Sequence, residues 1–192
     1  MPPLTRALII VNVLAYGLAL LLPPPAVIAL ELWPLGSGLF EPWQPLSYAF
    51  LHGSLSHLGF NMLGLSMFGA DLERLWGPRR FAQLYVVSVL TAAATQLALV
   101  SAVPTIGASG GVFGLLIAFG IAFPHRRVVP LIPPIPMPAW LFAALYALVE
   151  LTMGVTGVQA DVAHFAHLGG AVGGGLLARH WRGRMPPGSR LG

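Results

Sequence analysis

Residues 107–123 read GASGGVFGLLIAFGIAF, with no charged side chain among them. Pro104 precedes this run and Pro124 ends it. Because proline cannot continue a helix, an apolar run bounded in this way predicts a single helix in apolar surroundings. Ser109 stands near the start of the run, between Gly107 and two further glycines. A hydroxyl at the end of so apolar a helix requires a structural or chemical reason.

The rest of the chain shares this apolar character. Of its 192 residues, 56% are hydrophobic and only 8% are charged, whereas soluble domains carry roughly 25% charged residues. A lipid bilayer is therefore the solvent that suits this composition. The chain has no cysteine, which excludes disulfides and thiol chemistry. Its basic residues are ten arginines at the ends of apolar runs, so we expect no nucleic-acid partner.

Six apolar runs predict six membrane-spanning helices. These runs are Ala7–Leu22, Leu55–Gly69, Phe81–Ala102, Ser109–Phe123, Pro138–Val155 and Val162–Ala178. In a six-span arrangement all ten arginines fall on one side, which the positive-inside rule makes cytoplasmic, together with both termini. The prediction is an all-α membrane protein with one six-helix domain over residues 1–180. Residues 181–192 would form a basic, disordered cytoplasmic tail.

The first run has an alternative interpretation as a signal peptide, cleaved near Ala26–Ala29. Cleavage would leave five spans and the same downstream orientation. The three prolines at 23–25 favour a retained helix, because they act as a helix stop.

Polar side chains near the outer ends of the second, fourth and sixth runs form one group: His57, Asn61, Ser109 and His167. At 1.5 Å per helical residue, each of the three runs places its polar group roughly 20 Å above the inner boundary. Ser109 would occupy a helix N-terminus, where free backbone N–H groups can stabilise an oxyanion. The alternative is an N-cap serine followed by packing glycines.

Glycines near Ser109 and His167 predict that the fourth and sixth helices lie close together. Gly170 and Gly174 share a helical face with His167, and the fourth run offers Gly110 and Gly114. Close contact would bring the imidazole within hydrogen-bond reach of the serine hydroxyl. A tight helix pair with an incidental buried histidine is the alternative.

His57 and Asn61 lie four residues apart on one helical face, and both can donate hydrogen bonds to an oxyanion. Interhelical hydrogen bonding without chemistry is the alternative. The roles of His52, His164 and Glu150 are left open. Asp161 falls in a predicted external loop, so we expect no acid to orient His167.

These residues resemble the rhomboid family of intramembrane serine proteases. The resemblance rests on His57-x-x-x-Asn61, Gly107-x-Ser109-Gly110 and Ala166-His167-x-x-Gly170, with Trp43–Asn61 and Glu73-x-x-x-Gly77 as further features. It covers about Thr5–Arg179. It implies a six-helix bundle with a Ser109–His167 dyad and no third acid. The Ser109 backbone N–H, Asn61 and His57 would then bind the oxyanion.

The resemblance also implies substrates and location. Single-span membrane proteins would be cut near the outer face, reaching the site past a gate formed by Pro138–Val155 and the residues up to Asp161. No cofactor or metal is expected, and a bacterial inner membrane is the expected location. The alternative function is that of a catalytically silent rhomboid-like binding protein or chaperone. A zinc protease is disfavoured because no His-Glu-x-x-His motif occurs.

Overall fold

The structure is a computed structural model that describes residues 1–100, 103–131, 133–157 and 163–182. The protein is mainly helical. Its α-helices are α1 (Pro3–Ala19), α2 (Pro24–Ile28), α3 (Gln44–Ser47), α4 (Leu55–Gly64), α5 (Ala70–Leu99), α6 (Ser109–Ala122), α7 (Ala139–Thr156) and α8 (His164–Arg182). Residues 183–192 of the predicted tail, and Asp161, lie outside the described residues.

The start of α1 is held by a carboxylate from a distant helix. Glu73, which is buried, accepts hydrogen bonds from the Leu4 N–H (2.9 Å), the Thr5 N–H (2.7 Å) and the Thr5 hydroxyl (2.7 Å). The first N–H groups of a helix have no partner within the helix, and an anion there is favourable. This cap lets α1 begin at Pro3, ahead of the predicted run from Ala7.

The predicted second and third runs belong to one long helical stretch with a break. A π-helical turn, Leu65–Gly69, joins α4 to α5 without interruption. Within α5, Gly77 adopts φ 77° and ψ 165° and is followed by Pro78. This non-helical conformation is one that glycine adopts at little cost. Gly77 therefore separates two helical halves.

The segment between α1 and α4 packs against the body of the protein. Leu32 pairs with Thr105 through two backbone hydrogen bonds of 3.0 Å. The buried Gln44 accepts a hydrogen bond from the Trp33 N–H at 3.0 Å. The Tyr48 carbonyl accepts one from the Gly107 N–H at 2.9 Å. This segment thus fixes the stretch that leads into α6.

Helices α5, α6 and α8 form the centre of the bundle, and glycines bring α6 and α8 together. A Cβ atom at Gly170 would overlap the Gly110 backbone, and one at Gly174 would lie 2.6 Å from the Gly114 Cα. Such backbone-to-backbone packing is typical of helices in membranes. The two helix starts are therefore held side by side.

The end of the bundle away from the starts of α6 and α8 carries ion pairs between Asp71 and two arginines. Asp71 forms ion pairs of 2.9 Å with Arg74 and Arg126. Two short antiparallel strands, β1 (Arg127–Val128) and β2 (Met137–Pro138), connect α6 to α7.

The end of α8 differs from the sequence-based boundary. Trp181 and Arg182, which we assigned to the tail, belong to α8. The reason is that Trp181 packs edge-to-face on Trp76, with ring centroids 5.4 Å apart.

Two helical stretches, Leu55–Leu99 and Ala139–Thr156, are long and apolar enough to cross a membrane. Helices α1 and α6 are apolar but shorter. Large apolar side chains also face outward around the bundle, among them Leu14, Leu21, Val155 and Leu176. An apolar exterior of this kind marks a membrane-interaction surface. The count of six spans and the side on which the termini lie remain predictions.

Candidate serine–histidine site

Ser109 and His167 are joined by a hydrogen bond. The Ser109 Oγ lies 2.7 Å from the His167 Nε2. Ser109 is the first residue of α6, and His167 lies in the first turn of α8. The glycine contact between the two helices sets this distance, since a side chain at Gly170 would force them apart. A hydroxyl hydrogen-bonded to a neutral imidazole nitrogen is the arrangement of an activated nucleophile.

The His167 ring is held flat against Phe113. Their ring centroids are 4.5 Å apart and the planes differ by 8°. Phe113 lies one helical turn after Ser109, so the same face of α6 carries the hydroxyl and the supporting ring. Sequence reasoning missed this role, although the spacing of four residues from Ser109 was available.

An acid contacts the other nitrogen of His167. The Glu150 Oε2 on α7 lies 2.8 Å from the His167 Nδ1. The prediction that no acid is positioned to orient His167 is therefore wrong. The same oxygen lies 2.7 Å from the His164 Nδ1. Glu150 was visible as a lone carboxylate in an apolar run, but the direction in which it points depends on how α7 packs on α8.

Gly107 makes room for His57 beside the serine. Gly107 has φ 124°, and a Cβ atom there would lie 2.7 Å from the His57 Nε2 and 3.7 Å from the Ser109 Oγ. The absence of a side chain at Gly107 thus lets the imidazole of His57 approach the serine. Asn61 is buried, and its Nδ2 donates to the His57 carbonyl at 2.9 Å. An amide nitrogen carries two hydrogens, so one N–H of Asn61 is left for another acceptor.

His52, whose role the sequence left open, packs against His57. The rings meet edge-to-face at 5.0 Å. Burial lowers the pKa of His52 to about 4. Its ring is therefore neutral near pH 7, and it supports the His57 ring by packing against it.

A cavity of about 840 Å³ opens onto these groups. His57, Asn61, Ser109 and His167 all line it. Most of the remaining wall is apolar. Phe60 of α4 and Met67 of the π-helical turn line one part of it, and α7 contributes Phe142, Tyr146 and Met153. A large apolar cavity with a few convergent polar groups has the properties of a substrate site.

The start of α6 adds donors to this cavity. The helix begins at Ser109 with Ala108 as its N-cap. The first N–H groups of a helix lack intrahelical acceptors and carry partial positive charge. An oxygen that becomes negative next to the Ser109 Oγ would meet these N–H groups.

Comparison with known proteins identifies the family. Residues 39–182 match the Rhomboid domain, which is most of the chain. The protein belongs to the rhomboid family, and the resemblance drawn from the sequence motifs is confirmed.

Curated relatives come from distant organisms. The chain is 35% identical over 136 residues to Rhomboid protein 1, mitochondrial, of Saccharomyces cerevisiae, covering 67% of this chain and 38% of that protein. It is 27% identical to the Rhomboid protease GluP of Bacillus subtilis (72% and 26% covered) and 28% identical to the Rhomboid protease GlpG of Yersinia pestis (92% and 62% covered). The chain thus spans less than two thirds of each of these relatives.

Proposed function

We propose that this protein is an intramembrane serine endopeptidase with Ser109 as nucleophile and His167 as general base. The observation that carries the proposal is the 2.7 Å hydrogen bond between the Ser109 Oγ and the His167 Nε2 at the start of α6. Membership of a family whose relatives include named proteases supports it.

In the proposed reaction, the Ser109 Oγ attacks the carbonyl carbon of the scissile peptide while the His167 Nε2 takes the hydroxyl proton. The negative oxygen of the tetrahedral intermediate is bound by the Ser109 N–H, the free Asn61 amide hydrogen and His57. His167 then gives its proton to the leaving amine as the C–N bond breaks. Water, activated by the same imidazole, releases the acyl group from Ser109.

The proposed substrates are single-span membrane proteins cut near the outer face. Access from the lipid, between α4 and α7, is supported by the apolar cavity wall that these helices contribute. In this proposal α7 forms most of the gate, which was expected over Pro138–Val155 and the residues up to Asp161. An apolar wall suits the apolar side chains of a transmembrane segment.

The proposed setting is a bacterial inner membrane, with six spans and both termini cytoplasmic. The membrane domain would extend through α8 to Arg182, followed by the basic tail. The arginines, which the six-span arrangement puts on one side, support this orientation. The apolar exterior supports the membrane setting. No metal or cofactor enters the proposed reaction.

Cleavage of a tagged single-span reporter by the purified protein tests this proposal. Ser109→Ala and His167→Ala should each reduce cleavage by at least about 10³-fold, because the two groups act as a unit. The control variants Ser37→Ala and His125→Ala change the same residue types at exposed positions and should cleave normally.

Cleavage that survives Ser109→Ala would reject the mechanism. A wild-type protein that binds several reporters, cleaves none, and shows no labelling of Ser109 by a fluorophosphonate would favour the silent binding protein instead.

A further inference from the structure

We propose that Glu150 is a positioning residue for His167, so that this member of the family works with an acid–base–nucleophile chain rather than a serine–histidine pair. The inference rests on the proposed protease function and adds to it a residue that the family resemblance does not supply. It is carried by the 2.8 Å contact between the Glu150 Oε2 and the His167 Nδ1.

The geometry orders the atoms of three residues from three helices. The Glu150 Oε2 on α7 lies 2.8 Å from the His167 Nδ1. The other ring nitrogen of His167, Nε2, lies 2.7 Å from the Ser109 Oγ on α6. A carboxylate can only accept a hydrogen bond, so it requires the proton of His167 on Nδ1. The Nε2 is then left unprotonated and faces the serine hydroxyl, as a general base must.

This arrangement also defines where the proton goes. When the Ser109 proton moves to Nε2, the Nδ1 proton stays on His167 and the ring becomes positive. The Glu150 carboxylate stays ionised and stabilises that charge. Because Glu150 is 9% exposed and His167 is 8% exposed, little water competes with the interaction.

His164 fixes the carboxylate. Its Nδ1 contacts the same Oε2 at 2.7 Å and it is 5% exposed. The two histidines are three residues apart in the first turn of α8, which aims both rings at α7. α7 in turn comes close to α8, since a Cβ atom at Gly154 would lie 3.2 Å from the His164 Cβ. Two donors on one oxygen hold Glu150 more firmly than His167 alone would.

A metal site made of the same three residues is the competing interpretation, because their potential ligand atoms lie within 4.8 Å of one another. Ligands of a tetrahedral zinc ion at its usual bond lengths would stand about 3.3 Å apart. The observed contacts of 2.7 and 2.8 Å are shorter and match charge-assisted hydrogen bonds instead.

The test compares Glu150→Gln, Glu150→Asp and the control Glu41→Gln in the full chain, using reporter cleavage. Glu41 is an exposed carboxylate in the segment before α3. Glu150→Gln should lower kcat roughly 10²-fold with little change in KM, because a positioned base is worth about that much. A glutamine amide can donate to Nδ1 and so stabilise the wrong tautomer. Glu150→Asp should restore part of kcat, and Glu41→Gln should match the wild type.

A second readout avoids any protein substrate. The rate at which a fluorophosphonate labels Ser109 should fall in Glu150→Gln in step with kcat. The wild type should show a strongly downfield Nδ1 proton of His167 in ¹H NMR, and Glu150→Gln should lose it. A change of stability alone would lower the melting temperature without removing activity from the folded fraction.

The outcomes separate the two proposals. Wild-type kcat, labelling and Nδ1 resonance in a folded Glu150→Gln would overturn the role of Glu150 and leave the protease intact. If Ser109 of the wild type is not labelled and is not required for cleavage, the proposed protease function is overturned. The NMR signal would still test the contact between Glu150 and His167. Stoichiometric bound zinc, with activity lost in EDTA, would replace the hydrogen-bonded chain by the metal site.

Discussion

At the scale of single residues, Gly107 shows how narrow the requirements of the site are. Its φ of 124° is one that side chains rarely adopt, and its missing Cβ is the space in which the His57 ring sits. Glycine is therefore needed at position 107 both for the positive φ and for the space that the His57 ring occupies.

We expect Gly107→Ala to lose most cleavage activity and about 1–3 kcal/mol of folding free energy. The new methyl group would lie 2.7 Å from the His57 Nε2 and push that ring out of line with Ser109. Reporter kcat/KM and the melting temperature of the purified variant measure the two effects.

Gly38→Ala is the matched control. Gly38 also has a positive φ, 74°, but no atom lies within 4 Å of its Cβ position among the described residues. It should carry the backbone strain without the loss of cleavage. Equal loss of cleavage in both variants would contradict the role assigned to Gly107.

Single residues also mark the limit of what the sequence could predict about the site. Ser109, His167, His57 and Asn61 were chosen as candidates because polar groups in apolar helices stand out and their spacings follow a helical period. Glu150 stood out equally, yet its role depends on how α7 is rotated against α8. That rotation follows from tertiary packing, which one sequence does not reveal.

At the scale of elements, the contact between α6 and α8 sets the geometry of the site. Two pairs of glycines let the helix backbones touch, and the Ser109–His167 hydrogen bond follows from that closeness. If α6 and α8 move apart, few side chains lie between them to fill the gap.

Gly170→Ala should destabilise the protein by about 3 kcal/mol, because its methyl group would overlap the Gly110 backbone, which cannot rotate away. The cleavage rate should fall by more than the loss of folded protein explains, because Ser109 and His167 would be separated. Thermal unfolding in detergent and reporter cleavage measure the two effects.

Gly17→Ala makes the same change in α1, where no described atom lies within 4 Å of the Cβ position. It should be neutral or slightly stabilising, because alanine is the better helix former. A Gly170→Ala protein as stable and active as Gly17→Ala would contradict close packing of α6 on α8.

Among the helices and loops as well, the sequence predicts what local signals determine and misses what depends on long-range contacts. The apolar runs located the long helices, because hydrophobicity and proline stops are local signals. The cap that Glu73 gives to α1 joins residues far apart in the sequence, so the start of α1 was placed too late. The short helix α3 and the pairing of Leu32 with Thr105 depend on long-range contacts as well.

At the scale of the whole molecule, the positions of the arginines predict the orientation in the membrane. The chain contains no cysteine, so single cysteines can report on each side without background. Ser37 and His125 are exposed and lie near opposite ends of the bundle in the predicted topology.

In intact bacterial cells, Ser37→Cys should react with a membrane-impermeant maleimide, whereas His125→Cys should react only after the membrane is opened. The reason is that the proposed topology keeps the arginine-bearing loops in the cytoplasm. Labelling of His125→Cys in sealed cells would reverse the proposed orientation, and labelling of both would refute the span count.

The position of Glu150 on α7 has one more consequence. Ser109 and His167 belong to helices that touch through their backbones, but the carboxylate arrives on a third helix. A shift of α7 by little more than an ångström would take Glu150 out of hydrogen-bond range. If α7 moves outward to admit a substrate, Glu150 would leave His167. Return of α7 would restore the hydrogen-bonded chain. Chemistry would then wait until the substrate is enclosed.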